Sequence, residues 1–333
     1  MSSNPSALFS LNYAPLLKDI SSSIDTLENP TISWFGRKNL LMSLILPPLT
    51  YLQQGSPIPV PKTYYDSLRK LFRTFIWKGK KPRLSFELLS RPKYYGGIAL
   101  PDPETYGRAI LLSRIIEWLR PSSTKPWVTI EQELINTPFR SLLLGNNNTC
   151  NLPPSPYPII QATLKAWRWL PSSHCAIPFP SPLLSIKDIL GIALPAVIES
   201  TPRELRESST PILSFFDPNG SVLQLKELQK ILNATYPHLS PPSYLHTFIS
   251  QHISLGDLYR PLLWSEALVS NFTNFQRLNT PTIPTKPAFI RHWEKDLGQE
   301  FPITNLPNLL SSPHTSSRCV RIQENGYKIL ARW

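Results

Sequence analysis

Cysteine is scarce in this chain. The three that occur, Cys150, Cys175 and Cys319, are far apart and odd in number. No Cys-x-x-Cys or Cys/His ligand spacing is present, which argues against both a zinc site and a disulfide framework. A reducing compartment, cytoplasmic and/or nuclear, is the simplest reading. Glycine is also short, at 12 of 333 residues. There is no Gly-rich phosphate loop and no nucleophile elbow. A long apolar run is missing as well. The best stretch, Leu40–Leu49, is too short for a bilayer and holds two prolines. The N-terminus has no basic region ahead of an apolar core, so neither a signal peptide nor a membrane partner is expected. The six histidines lie at no ligand spacing. The acid pairs Glu131/Glu133 and Glu294/Asp296 are spaced i,i+2, point apart on a helix and read as solvated surface. No Asp-Asp pair is present for a two-metal site. The expectation is no enzyme, no cofactor and no metal.

Acids are the last shortage: 22 against 34 Lys and Arg, a net charge of +12. The excess is local. Residues 62–93 hold ten basic residues and two acids, a net +8, whereas residues 1–61 are neutral. A concentrated excess points to a polyanionic partner better than a uniformly basic surface does.

Proline is abundant. There are 37, against an average usage of about 5%, which predicts short helices joined by stiff connections. The periodicity is helical throughout. Residues 11–28 place Leu11, Leu16, Leu17, Ile20, Ile24 and Leu27 near one face. Ser33 can cap a second helix, which Pro47 and Pro48 must bend or end. Pro61 opens a third with Tyr64, Tyr65, Leu68, Phe72, Phe75 and Ile76 on its apolar stripe. Asp102 and Pro103 read as the cap and first residue of a helix over 103–119. Beyond a Pro/Ser/Asn-rich loop at 145–158, shorter helices are expected near 159–170, 183–190, 202–208, 224–233, 241–253, 257–270, 285–297 and 324–333. The fold class is mainly α: residues 1–120 as a multi-helix module, 121–158 as a linker, and 159–333 as a second, irregular, Pro-rich helical region.

One stretch poses a question. In "FIWKGKKPRL" (75–84) a buried-type triplet, Phe75, Ile76 and Trp77, runs directly into Lys78, Lys80, Lys81 and Arg83. Cations near a helix C-terminus stabilise it by about 0.3–1 kcal/mol. That accounts for one or two charges, not four. Tyr94 and Tyr95, just after Lys93, are possible stacking platforms for bases.

Several segments together resemble one family. They are Ser33-Trp34-Phe35-Gly36-Arg37-Lys38-Asn39, Pro47 with Tyr51, Pro57–Pro61, Phe75–Arg83, Gly96–Asp102, and Tyr106 with Trp118. In this order they resemble the region after the catalytic palm in the reverse transcriptase polyprotein of LINE-type non-LTR retrotransposons. The resemblance is closest over 30–120 and looser over 150–290. "HWEKDLG" (292–298) and "ENGYKILARW" (324–333) are similar to segments that precede a zinc knuckle in that family. The resemblance implies a helical thumb gripping a primer–template duplex, with a helical connector downstream. It also implies a fragment lacking endonuclease, palm and knuckle. The expected partner is RNA or RNA–DNA hybrid, held through phosphates without sequence readout. The expected contacts are Arg37, Lys78, Lys80, Lys81 and Arg83, followed by Arg69, Lys70 and Arg73 on a helix face. The alternative is a helical protein-interaction module, or a functionless relic of a decayed element, with no nucleic-acid role.

Overall fold

The computed structural model describes residues 5–27, 32–56, 58–119, 125–135, 139–144, 158–172, 286–302 and 304–331. Between 182 and 276 it describes residues 182, 184–187, 202–206, 208, 210–217, 219–235, 243–253, 269–270, 272–273 and 276. The protein is mainly α-helical. Among the described residues the only β pairing is two isolated bridges, Ser185 with Pro211 and Phe216 with Val222. Among the same residues no helix is long and apolar enough to cross a membrane.

Helix α1 (Pro5–Thr26) buries Tyr13, Ile20 and Ile24, while Leu11 faces out. Ser33 caps α2 (Trp34–Leu40), its Oγ accepting from the Gly36 amide at 3.2 Å. The expected break at Pro47 and Pro48 takes another form. The chain passes through one π-helical turn (Leu41–Ile45), whose following amide, Leu46, donates to the Leu41 carbonyl. It then re-enters α-helix as α3 (Leu46–Gly55) with its prolines in the first turn. Proline has no amide hydrogen to give to a carbonyl one turn back, so the extra residue is absorbed just ahead of the pair.

Helix α4 (Lys62–Trp77) follows Pro61 and buries Tyr64, Tyr65, Leu68, Phe72, Phe75, Ile76 and Trp77. It is the spine of the main core. Short α5 (Phe86–Ser90) and a 3-10 turn (Lys93–Tyr95) lead to α6 (Pro103–Leu119). Asp102 caps α6, accepting from the Thr105 amide at 3.0 Å and the Thr105 hydroxyl at 2.7 Å. Gly107 lets α6 approach α4: a Cβ there would sit 2.1 Å from the Tyr65 hydroxyl.

Among the described residues the remaining helices are α7 (Pro126–Ile135), α8 (Phe139–Leu144), α9 (Pro158–Ser172), α10 (Arg203–Arg206), α11 (Leu225–Thr235), α12 (Ser243–His252), α13 (Ala288–Leu297), α14 (Leu306–Thr315) and α15 (Val320–Leu330). The expected loop at 145–158 and helix at 257–270 lie almost wholly outside the described residues, as do His174 and Cys175. The reading of 121–158 as a linker does not hold across α7. Glu131 is buried there, pairing with Arg114 and accepting from the Trp118 indole at 2.8 Å. It is an internal ion-pair partner rather than a surface acid. Glu294 is also engaged, by Lys286 at 2.5 Å and the Phe301 amide at 2.8 Å.

The division of the chain also differs from 1–120 and 159–333. One compact unit joins Met1–Ile110 to Thr273–Trp333, and the other is Leu111–Phe272. The C-terminal helices belong to the first unit because they complete its core. Tyr327 of α15 is fully buried, packs edge-on to Phe35 at 6.2 Å and donates its hydroxyl to the Gly96 carbonyl at 2.8 Å. The second unit has its own packing. Trp118 and Phe139 stack in parallel at 4.3 Å, and the Trp167 indole donates to the Leu143 carbonyl at 3.1 Å.

His314 sits beside Tyr327, its ring 5.3 Å from Phe35 and 5.7 Å from Tyr327, and it is only 7% exposed. Burial lowers its pKa from 6.5 to about 4; repulsion from Lys93 and Lys38 adds to this, and the Gly97 backbone opposes it. Between those values the unfolded chain takes up a proton that the folded chain refuses. The contribution of His314 to stability is present above pH 6.5 and is lost by about 1.4 kcal/mol per pH unit toward pH 4. Urea titrations of wild type and His314→Leu across this range should differ by that slope; parallel curves would show that His314 is not held neutral by the fold.

Candidate nucleic-acid interface

The end of α4 is built as a left-handed helix stop. Lys78 has φ 54° and Gly79 φ 68°. The Lys78 amide donates to the Phe75 carbonyl at 3.3 Å and the Gly79 amide to the Thr74 carbonyl at 3.0 Å, the paired bonds of a Schellman motif. A non-glycine residue in this conformation is sterically costly. The stop turns the chain sharply at Trp77, so the cations that follow leave the core at once.

Trp77 is buried, and its ring meets that of Trp34 edge-on at 4.9 Å. Over these two indoles opens a cavity of about 1000 Å³. Lys78, Lys80, Lys81 and Arg83 line one side, and Arg321 and Lys328 of α15 line it too. Lys80, Lys81, Arg83 and Arg321 are exposed, and Lys78 is half-buried. Among the described residues, six cations thus share the cleft with one acid, Glu324. Glu324 and Lys328 pair at 2.6 Å, one turn apart on α15, and the Lys328 ammonium lies 5.6 Å from the centre of the Trp34 ring.

The charges repel one another. Burial lowers the Lys78 ammonium below its ordinary pKa; Arg37, Lys80 and Lys328 push the same way, and Glu324 opposes them. A bound anion would relieve that repulsion.

The other expected contacts divide. Arg37 does not belong among them. It is fully buried, its Nη1 donates to the Phe75 carbonyl at 2.8 Å, its Nε reaches the Ile32 carbonyl at 3.4 Å, and its guanidinium lies over the Phe75 ring at 4.9 Å. It holds the end of α4 from inside. Arg69 is likewise committed elsewhere. It forms a two-pronged bond to Asp102 at 2.7 and 3.1 Å, and ion pairs with Glu104 at 2.6 Å and Asp66 at 3.3 Å. Asp102 foremost, and then Glu104, hold its pKa above the ordinary value against the opposing effect of burial. It fastens α4 to the start of α6. Lys70 and Arg73 are exposed on α4 but do not line the cleft. Tyr94 is exposed and packs on Tyr95 at 4.7 Å, and neither tyrosine lines the cleft.

Two cations of the cleft lie outside the expected set. Arg321 and Lys328 are spaced i,i+7 on α15 with Glu324 between them, so they share one helix face. That face can be read locally; its return to residues 78–83 cannot. Among the described residues, no group of three or more His, Cys, Asp or Glu is placed to hold a metal. No family model matches the chain.

Two substitutions separate structural charge from cleft charge. Arg37→Met removes charged donors from a buried carbonyl and should cost about 1.5–3 kcal/mol. Lys78→Gly relieves the left-handed strain and, after the added freedom of the unfolded chain, should raise stability by about 0.5–1 kcal/mol. Chemical denaturation reads both. A neutral Arg37→Met would show that its buried bonds contribute nothing, and a destabilising Lys78→Gly would mean that the Lys78 side chain holds the turn.

Proposed function

We propose that this chain is a non-catalytic part of a LINE-like reverse transcriptase, and that its cleft holds the phosphate backbone of RNA or of an RNA–DNA hybrid without reading sequence. It would act in the cytoplasm or the nucleus. The observation that carries this reading is the convergence of Lys78, Lys80, Lys81 and Arg83 with Arg321 and Lys328 on one cavity. Six cations on long side chains, set over a floor of packed indoles, suit a chain of phosphates. Lysine and arginine neutralise the charge, and the released counterions drive binding. The sequence supports the non-catalytic reading, because it contains no Asp-Asp pair of the kind a polymerase uses to hold two metal ions.

The resemblance to the thumb and connector adds to this reading. One of the segments that carry it, Phe75–Arg83, forms the helix stop and the near side of the cleft. Lys70 and Arg73 extend the basic surface along α4 and are secondary contacts.

Binding to labelled single-stranded RNA and to an RNA–DNA hybrid at graded salt tests the proposal. The wild-type log affinity should fall linearly with log salt. The triple variant Lys80→Ser/Lys81→Ser/Arg83→Ser should melt within about 0.5 kcal/mol of wild type, since these are surface positions. On single-stranded RNA its salt slope should be shallower by roughly 0.7 for each phosphate that no longer meets a cation. A variant that binds with the parent's affinity and slope would show that the cleft is not the phosphate site.

A further inference from the structure

Glu324 is the anomaly of the cleft. It is the one acid among the described residues that line a cavity carrying six cations, and it is only 5% exposed. One carboxylate oxygen, Oε1, is taken by Lys328 at 2.6 Å. The other, Oε2, is buried and has no hydrogen-bond partner among the described residues. A buried carboxylate oxygen left without a donor is costly and calls for an explanation. Repulsion by Glu324 would also weaken any simple phosphate site. Its place here is accounted for if the ligand itself brings a donor alongside its phosphates.

The geometry points to a ribose hydroxyl. We infer that Glu324 accepts a hydrogen bond from a 2′-OH of the bound strand, and so makes the cleft selective for RNA over DNA. This rests on the proposed phosphate-binding role of the cleft. An ionised carboxylate is acceptor-only, so it recognises a donor and repels further phosphate oxygens. Of the groups on a nucleic-acid backbone, the 2′-OH is the one that can donate, and it lies beside the phosphates the lysines would hold. The carboxylate is not free to turn away. Lys328 fixes it from one side, and that ammonium is itself settled over the Trp34 ring at 5.6 Å. A fixed acceptor of this kind discriminates strongly, because a ligand lacking the donor leaves the buried oxygen unpaired.

The test uses the full chain and four labelled oligomers of one length: oligo(U), oligo(dU), 2′-fluoro-oligo(U) and 2′-O-methyl-oligo(U). Wild type should bind oligo(U) about tenfold more tightly than oligo(dU), the effect of one hydrogen bond to a charged acceptor. The 2′-fluoro oligomer keeps the sugar pucker of RNA but has no donor, so it should bind like oligo(dU); the 2′-O-methyl oligomer should bind no better. Glu324→Ala should bring the oligo(U)/oligo(dU) ratio to about one without loss of oligo(dU) affinity, since it removes a repulsive charge. Glu324→Gln, which keeps the shape and a neutral acceptor, should give an intermediate ratio. Because a ratio is read, partial unfolding of a variant does not alter the outcome. If wild type binds oligo(U) and oligo(dU) equally, or binds the 2′-fluoro oligomer as it binds oligo(U), this inference fails while the phosphate-binding reading stands. If wild type binds none of the four, both fail.

Discussion

The bond from the Arg37 guanidinium to the Phe75 carbonyl is the constraint on which the first unit depends. It joins the middle of α2 to the end of α4 through a buried charge. Burying an arginine costs several kcal/mol in lost hydration. The cost is offset because the charge meets the negative end of a helix dipole and the carbonyls of Phe75 and Ile32. Its flat face also rests on the Phe75 ring at 4.9 Å. Arginine suits this position better than lysine would, since its planar fork keeps its charge and directs several donors at once. The Phe75 carbonyl also takes the Lys78 amide. The same oxygen therefore anchors the internal strut and begins the left-handed stop.

The cleft follows from that stop. Once α4 ends at Trp77 and the chain turns left-handed, Lys78, Lys80, Lys81 and Arg83 line the cleft beside Trp34 and Trp77. The far side comes from the other end of the sequence. Tyr327 locks α15 into the core, and Arg321, Glu324 and Lys328 project from α15 into the cleft. A basic knot set against a buried aromatic thus has a structural reason. The anchor fixes where the charges stand, and the charges are set against a second basic face.

Much of this is legible locally. Ser33 and Asp102 act as caps because a short polar side chain next to an apolar run has few other uses. The α4 stripe is plain from its spacing. Arg37 is the case where charge misleads, although the correcting signal is present. It stands three residues after Trp34 and four before Leu41, on the stripe those two residues define, and all three are buried. Helical periodicity places it inside; its charge suggests the surface. Arg69 lies beyond local reading, because its partner Asp102 is thirty-three residues away. The docking of α15 lies further still. Nothing near Tyr327 in sequence says that its hydroxyl will find Gly96. Contacts of that range are fixed by the shape of a whole core, which periodicity does not encode.

What the cleft gives up in stability bears on its purpose. Lys78 occupies a conformation that suits glycine, and its ammonium is held below its ordinary pKa by burial and by neighbouring cations. Glu324 leaves an oxygen without a donor in a buried place. Each is a local departure from what a stable fold would select, and both occur at one cavity. Concentrated departures of this kind are characteristic of binding sites, where a ligand supplies the compensating interactions. Packing alone would have been served by glycine at the turn. A strained lysine and a carboxylate with one paired and one unpaired oxygen, far apart in sequence, thus line the same cavity.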